Sequence, residues 1–243
     1  MVKKVVAAVV VLTLVVGGVV WFTFLRDDPE PELSLDSGSD ADATAGADSA
    51  DPGEAPESFD GTWTVQTGGD TTAGFRIDES FAGGLADHTA VGRSPEVSGS
   101  IQVEGTTVTE GSFTVDLTAI EFTDDPGIPV ANRVRAMENR GLETSRFPEA
   151  TFTLTGPVEL NALPEGESTV AAEAVGELTL HGVTREVTIP VEIGIDGATV
   201  RIVTADPVPI VLADFDIEKP TGGPIADIAD EGSFEFLIEL TQG

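Results

Sequence analysis

Apolar and small residues alternate from Val170 to Leu180, and after a two-residue break the alternation resumes from Val183 to Ile195. Val170, Ala172, Ala174, Gly176, Leu178 and Leu180 share one parity; Val183, Val187, Ile189, Val191, Ile193 and Ile195 share the other run's. A period of two places one face of each segment against an apolar interior. The break is His181-Gly182, a junction in which glycine supplies positive φ, so the pair reads as a β-hairpin. Two strands of this length suit a tall, closed antiparallel barrel whose interior can hold an apolar guest.

Shorter alternating runs flank this hairpin. Trp63 and Val65, Phe75 and Ile77, Ile101 and Val103, Phe113, Val115 and Leu117, and Phe152 and Leu154 each share a face within their own run. Residues 198–205 and 208–212 are further strands. The last is expected over Ser233–Leu240, with Phe234, Phe236, Ile238 and Leu240 on one side and Glu235 and Glu239 on the other. Glycine and proline punctuate the runs, so the chain reads as all-β. One helix is expected between Pro129 and Gly141, where Val130, Val134 and Met137 fall on one helical face. It is long enough to roof a barrel mouth.

The first 26 residues differ in kind. Val5–Leu25 carries no charge and follows Lys3 and Lys4. A helix of that length spans a hydrocarbon core of about 30 Å, and the lysines favour a cytoplasmic N-terminus. Residues 1–26 are therefore expected to be a single membrane anchor, with a cleaved signal peptide as the alternative. Either way, the rest is expected outside the cytoplasm. Residues 27–58 are rich in Asp, Glu, Ala, Ser, Gly and Pro, and read as an acidic, disordered tether. The folded domain is expected over residues 59–243.

Charge narrows the partners. The chain has 43 acidic and 12 basic residues, and every acidic one follows Arg26. Such a surface repels phosphate backbones, which argues against nucleic-acid binding. It serves solubility, or matches a basic partner. There is no cysteine, so disulfides and thiolate chemistry are excluded.

Catalysis has few supports. His88 and His181 are the only histidines, and there is no tyrosine. No Gly-x-Ser-x-Gly elbow, phosphate-cradling loop or His-x-x-x-His spacing occurs. Carboxylate pairs such as Asp124-Asp125 arise by chance in so acidic a chain. The sequence points to no cofactor and no metal, and an enzyme is not expected.

Several of these residues together resemble the YceI-like, polyisoprenoid-binding family. They are Trp63, the helix with Arg133-Val134-Arg135, the run Phe147-Pro148-Glu149-Ala150-Thr151-Phe152, and Leu178-Thr179-Leu180-His181-Gly182-Val183-Thr184. The resemblance covers roughly residues 61–241. It implies an exported bacterial protein with a lipocalin-like barrel that takes long isoprenoid chains inside. The chain departs from the family pattern in the segment Ala73–Glu79, which lacks the usual Ser and His, and in Asn132-Arg133, where Arg-Asp is common.

The expected architecture is thus an all-β, lipocalin-like closed antiparallel β-barrel with one short helix, behind an N-terminal transmembrane helix and a disordered linker. The expected function is extracytoplasmic binding or carriage of an amphiphilic, isoprenoid-type lipid without catalysis. The apolar lining is expected from Trp63, Phe75, Phe113, Val115, Met137, Phe152, Leu178, Leu180, Ile189, Val191, Phe234 and Phe236. Arg133, Arg135 and Arg140 are candidates for a cationic rim that holds the headgroup. The competing reading is a filled barrel that serves as an interaction module of the cell envelope. Small barrels often fill their interiors with side chains. Oligomeric state is left open.

Overall fold

The computed structural model describes residues 30–37, 56, 58–66, 68–82, 88–124, 130–222 and 225–243. From Pro31 onward they belong to one compact unit. The span expected at Val5–Leu25 and most of the acidic tether lie outside the described residues. Among the described residues no helix is long and apolar enough to cross a membrane.

The unit is a single antiparallel sheet closed on itself. Its strands are β1 (Gly61–Val65), β2 (Thr72–Phe81), β3 (His88–Ser94), β4 (Val97–Glu104), β5 (Thr107–Asp116), β6 (Glu121–Phe122) and β7 (Glu149–Leu154). They continue with β8 (Val158–Glu159), β9 (Val170–Leu180), β10 (Val183–Asp196), β11 (Thr199–Thr204), β12 (Val208–Val211) and β13 (Ile225–Gln242). Eight of them form the ring β1-β4-β5-β7-β9-β10-β11-β13, which closes where Trp63, Thr64 and Val65 face Gln242, Thr241 and Leu240. Beyond the ring, β2 pairs with the first part of β13, and β3 and β6 extend it. Closure removes most exposed strand edges, which would otherwise recruit other chains.

The β9–β10 hairpin is the tallest wall. Its register runs unbroken from Val183 opposite Leu180 to Ile193 opposite Val170. Ile189, Val191 and Ile193 are buried, while Thr184, Glu186, Thr188 and Glu192 are exposed. His181 and Gly182 both have positive φ, at 52° and 76°, as a two-residue turn matched to strand twist requires. His181 is not a bare turn residue. Its Nδ1 donates to the Phe215 carbonyl at 3.0 Å, its Nε2 lies 2.8 Å from Glu143 Oε2, and its ring packs 4.4 Å from Phe147. Imidazole therefore pins the hairpin tip to two loops, and the Phe-Pro run that follows the helix packs on the same tip.

Gly176 sits at a close approach. A Cβ there would lie 2.5 Å from both the Phe152 ring and the Thr153 carbonyl. The bare backbone lets Phe152 of β7 lie over β9 and point inward. Gly176→Ala is expected to destabilise the fold by about 1–3 kcal/mol through overpacking. Urea denaturation followed by tryptophan fluorescence measures it; an unchanged midpoint would mean that Phe152 moves aside at no cost.

Helix α1 (Val130–Asn139) bears out the expected helix. Met137 packs with Leu117 and Ile120, and Phe75, Val115, Leu142 and Leu180 surround that cluster. The helix thereby borders the barrel interior. Strand β13 is longer than the expected Ser233–Leu240. Its first part, Ile225–Gly232, shifts register against β2 between Ile225 and Asp227 and again between Ile228 and Gly232. These irregularities break the period of two, so alternation could not reveal the segment.

Residues 31–37 fall within the expected tether, yet they hydrogen-bond to the outer wall. Arg93 Nη2 donates to the Pro31 carbonyl at 2.8 Å, Leu33 N–H to Glu235 Oε2 at 3.1 Å, and Arg201 to the carbonyls of Leu35 and Ser37. Under this strand of chain Glu235 is 1% exposed and accepts hydrogen bonds from Arg76 and Arg93 at 3.1 and 2.8 Å. Glu235, and Glu239 at 3.3 Å from Arg201 Nε, are thus mates for arginines rather than free solvated charge.

Candidate functional site

Inward side chains of the ring meet around a cavity of about 200 Å³. Phe75 of β2, Phe113 and Val115 of β5, and Phe152 of β7 line it. Leu178 and Leu180 of β9, Ile189 and Val191 of β10, and Phe234 and Phe236 of β13 line it too. Ten of the twelve residues proposed from alternation therefore reach this one space. Small residues explain why space remains. Ala73, Ala150 and Ala174 also face it, each where a larger side chain would fill the void. Almost all of its lining is apolar, with Thr151 and Glu235 the polar residues that border it, so it offers water few partners and favours an apolar guest.

Two expected lining residues lie elsewhere. Trp63 is 1% exposed and stacks on Phe59 with centroids 5.7 Å apart, and its indole N–H donates to the Phe59 carbonyl at 2.9 Å. It plugs the core where β1 meets β4 and β13 and does not face the cavity. Met137 borders a second cavity of about 130 Å³. Phe75, Leu142, Leu180 and Phe234 line both spaces, so the two adjoin.

The three arginines do not form a rim. Arg135 and Arg140 are exposed, and Arg140 Nη1 donates to the Thr221 carbonyl at 2.9 Å. Arg133 turns inward and is 2% exposed. Helical spacing accounts for this: residues 133, 136 and 137 share the buried face, and 135 does not. Its guanidinium lies 4.1 Å over the Phe122 ring, and its Nη1 donates to Asp124 Oδ2 at 2.7 Å.

Arg133 anchors a buried polar cluster at the second cavity. Asp124 also accepts from the Val91 N–H at 2.8 Å and lies 2.6 Å from His88 Nε2. Burial pushes the Asp124 carboxyl up, but the hydrogen bonds from Arg133, Val91 and His88 outweigh it and hold the group below the usual carboxylate range. Glu79 Oε2 stands 3.6 Å from Arg133 Nη2. Burial drives the Glu79 carboxyl above its usual range; Arg133 opposes the rise and Asp124 adds to it.

Sequence reasoning missed this cluster. Asp124 was indistinguishable among so many acids, and His88 had no visible mate. One signal was present: Glu79 shares the parity of Phe75 and Ile77, so an acid stands on an inward face.

The YceI-like domain model matches residues 63–240. The chain belongs to the YceI-like family. Its barrel is similar to the structure of a polyisoprenoid binding domain from Saccharophagus degradans implicated in plant cell wall breakdown. That pair shares 16% identity over 75% of this chain and 99% of the other, at a TM-score of 0.54. BcnA of Burkholderia cenocepacia shares 17% identity over 72% and 98%, at a TM-score of 0.48. The YceI protein of Campylobacter jejuni shares 14% over 63% and 84%, at 0.45. No curated protein matches the sequence. In the YceI-like hairpin the turn histidine clamps loops while Leu178 and Leu180 line the cavity, and in the Phe-Pro run Phe147 packs on that histidine while Ala150 and Phe152 reach the cavity.

Proposed function

We propose that this protein binds an amphiphilic lipid of the polyisoprenoid class inside its barrel, outside the cytoplasm, without making or breaking covalent bonds. The cavity ringed by Phe113, Phe152, Ile189 and Phe236 carries the proposal. Burying a branched hydrocarbon there is favourable by about 25 cal/mol for each Å² of apolar surface removed from water. No hydrogen bond is needed for the tail, so shape selects its length. Membership of the YceI-like family and the fold shared with a polyisoprenoid binding domain support the same class of guest. The N-terminal apolar segment would hold the barrel beside the membrane from which such lipids come, and the acidic tether would give it reach.

The full chain, purified in mild detergent and extracted for mass spectrometry, is expected to carry a prenyl lipid at near-stoichiometric amount. Ala174→Phe narrows the cavity at a lining position. It is expected to cut the bound lipid at least tenfold, equivalent to about 1.4 kcal/mol of binding, while circular dichroism still reports a β-barrel. Full lipid load in the variant would overturn the assignment of the lipid to this cavity, and a lipid-free wild type that takes up no added prenyl chain would favour the interaction-module reading.

A further inference from the structure

The second cavity holds the unusual chemistry of this barrel. Glu79 and Arg133 both line it, and both are more than nine-tenths buried. Glu79 Oε2 and Arg133 Nη2 have no hydrogen-bond partner among the described residues. Two buried polar atoms left this way are costly. They stand 3.6 Å apart, too far to bond one another well. One oxygen placed between them could reach both at an ordinary distance of about 2.9 Å.

The local charge decides what that oxygen belongs to. Asp124 already takes Arg133 Nη1, and the groups facing Glu79 are Arg133, Asp124 and His88. The guanidinium is thus neutralised by one carboxylate and has a second beside it. An anionic head entering here would meet Asp124 and the Glu79 carboxyl in a space walled by Phe122, Met137 and Ile228, and the other cation on its lining, Arg76, is already paired with Glu235 at 3.1 Å. Burial moves Glu79 above its usual range, toward the form that can donate as well as accept.

We infer that the second cavity is the headgroup pocket and selects lipids whose polar end is a single uncharged oxygen, a hydroxyl or a carbonyl, over phosphorylated ones. The inference rests on the carrier reading above. The tail lies in the main cavity, the chain passes the shared walls Phe75, Leu142, Leu180 and Phe234, and the oxygen seats between Arg133 Nη2 and Glu79 Oε2. A hydroxyl accepts from the guanidinium and donates to the carboxyl; a carbonyl oxygen accepts from both.

The test uses the full chain and three probes with one tail: geranylgeraniol, geranylgeranyl diphosphate and the corresponding hydrocarbon. Wild type is expected to bind the alcohol at least tenfold more tightly than the diphosphate. Glu79→Leu is expected to weaken the alcohol roughly tenfold and leave the hydrocarbon within about twofold, since one hydrogen bond to a charged or polar partner is worth that much. Glu79→Gln keeps a donor and an acceptor in place, so it is expected to retain the preference for the alcohol even if the leucine variant folds poorly. A diphosphate bound as tightly as the alcohol by wild type overturns the headgroup assignment while the carrier reading stands. Equal losses for alcohol and hydrocarbon in Glu79→Leu, or a glutamine variant with no preference, overturn it too. Failure of every probe to bind, the hydrocarbon included, overturns both.

Discussion

Ile189→Asp is expected to abolish the native barrel or its lipid uptake. Ile189 is 3% exposed, faces the main cavity and stands opposite Ala174 in the longest ladder. Leu178, Val191 and Phe152 share that apolar space, and none of them offers a hydrogen bond. The new carboxyl must shed its water and take up a proton, or remain a bare charge. The loss is expected at roughly 4 kcal/mol or more, among the larger values for one substitution. Denaturant titration by circular dichroism measures it, with lipid content as a second reading. A variant that keeps both wild-type stability and lipid load would show that water reaches this wall freely. Ile189→Val is the companion, expected to cost about 1 kcal/mol.

Asp124→Ala is the second large effect. It strips Arg133 of its only hydrogen-bonded carboxylate among the described residues and leaves a guanidinium buried between Phe122 and Met137. Breaking a buried pair from one side costs about 3–5 kcal/mol, and because Glu79 still stands 3.6 Å from Arg133 the loss is expected at the lower end of that range. The double variant Asp124→Leu with Arg133→Met removes both charges and is expected to recover much of the loss. If the double variant is no better than the single one, the pair contributes through something other than charge. Acid probes the same contact. A carboxyl held below its usual range stabilises the fold above that range, and the contribution disappears as pH falls through the folded value. Glu79 acts with the opposite sign: its raised value stabilises at low pH and fades as pH rises through it. Asp124→Asn should therefore flatten the acid limb of stability, and Glu79→Gln should flatten the limb above it.

What alternation could reveal, it revealed well. The hairpin, its turn and ten cavity residues follow from parity alone, because a closed barrel gives every strand one apolar and one wet face. Trp63 misled because parity names a face, and an inward face at the foot of a barrel is core rather than cavity. Arg133 misled because long cationic side chains ordinarily reach water, and of its acidic mates Glu79 comes from distant β2 while nearby Asp124 stands in an irregular segment after β6 where no periodicity marks it. The opening part of β13, Ile225–Gly232, was hidden by its register shifts, where two residues oppose one. Residues 31–37 have tether composition, and nothing in composition reports that arginines of β2, β3 and β11 reach for their backbone.

That grip has an evolutionary corollary. The wall seizes Pro31, Leu35 and Ser37 through carbonyl oxygens, and Leu33 through its amide. Every amino acid carries a carbonyl, so the identities at Pro31 and Ser37 are free to drift across generations with little penalty, whereas Leu33 must keep its N–H and Leu35 packs on Gly194. Spacing is not free, since the gripping arginines are fixed on separate staves of the barrel. One inserted or deleted residue there would do more harm than several exchanged ones.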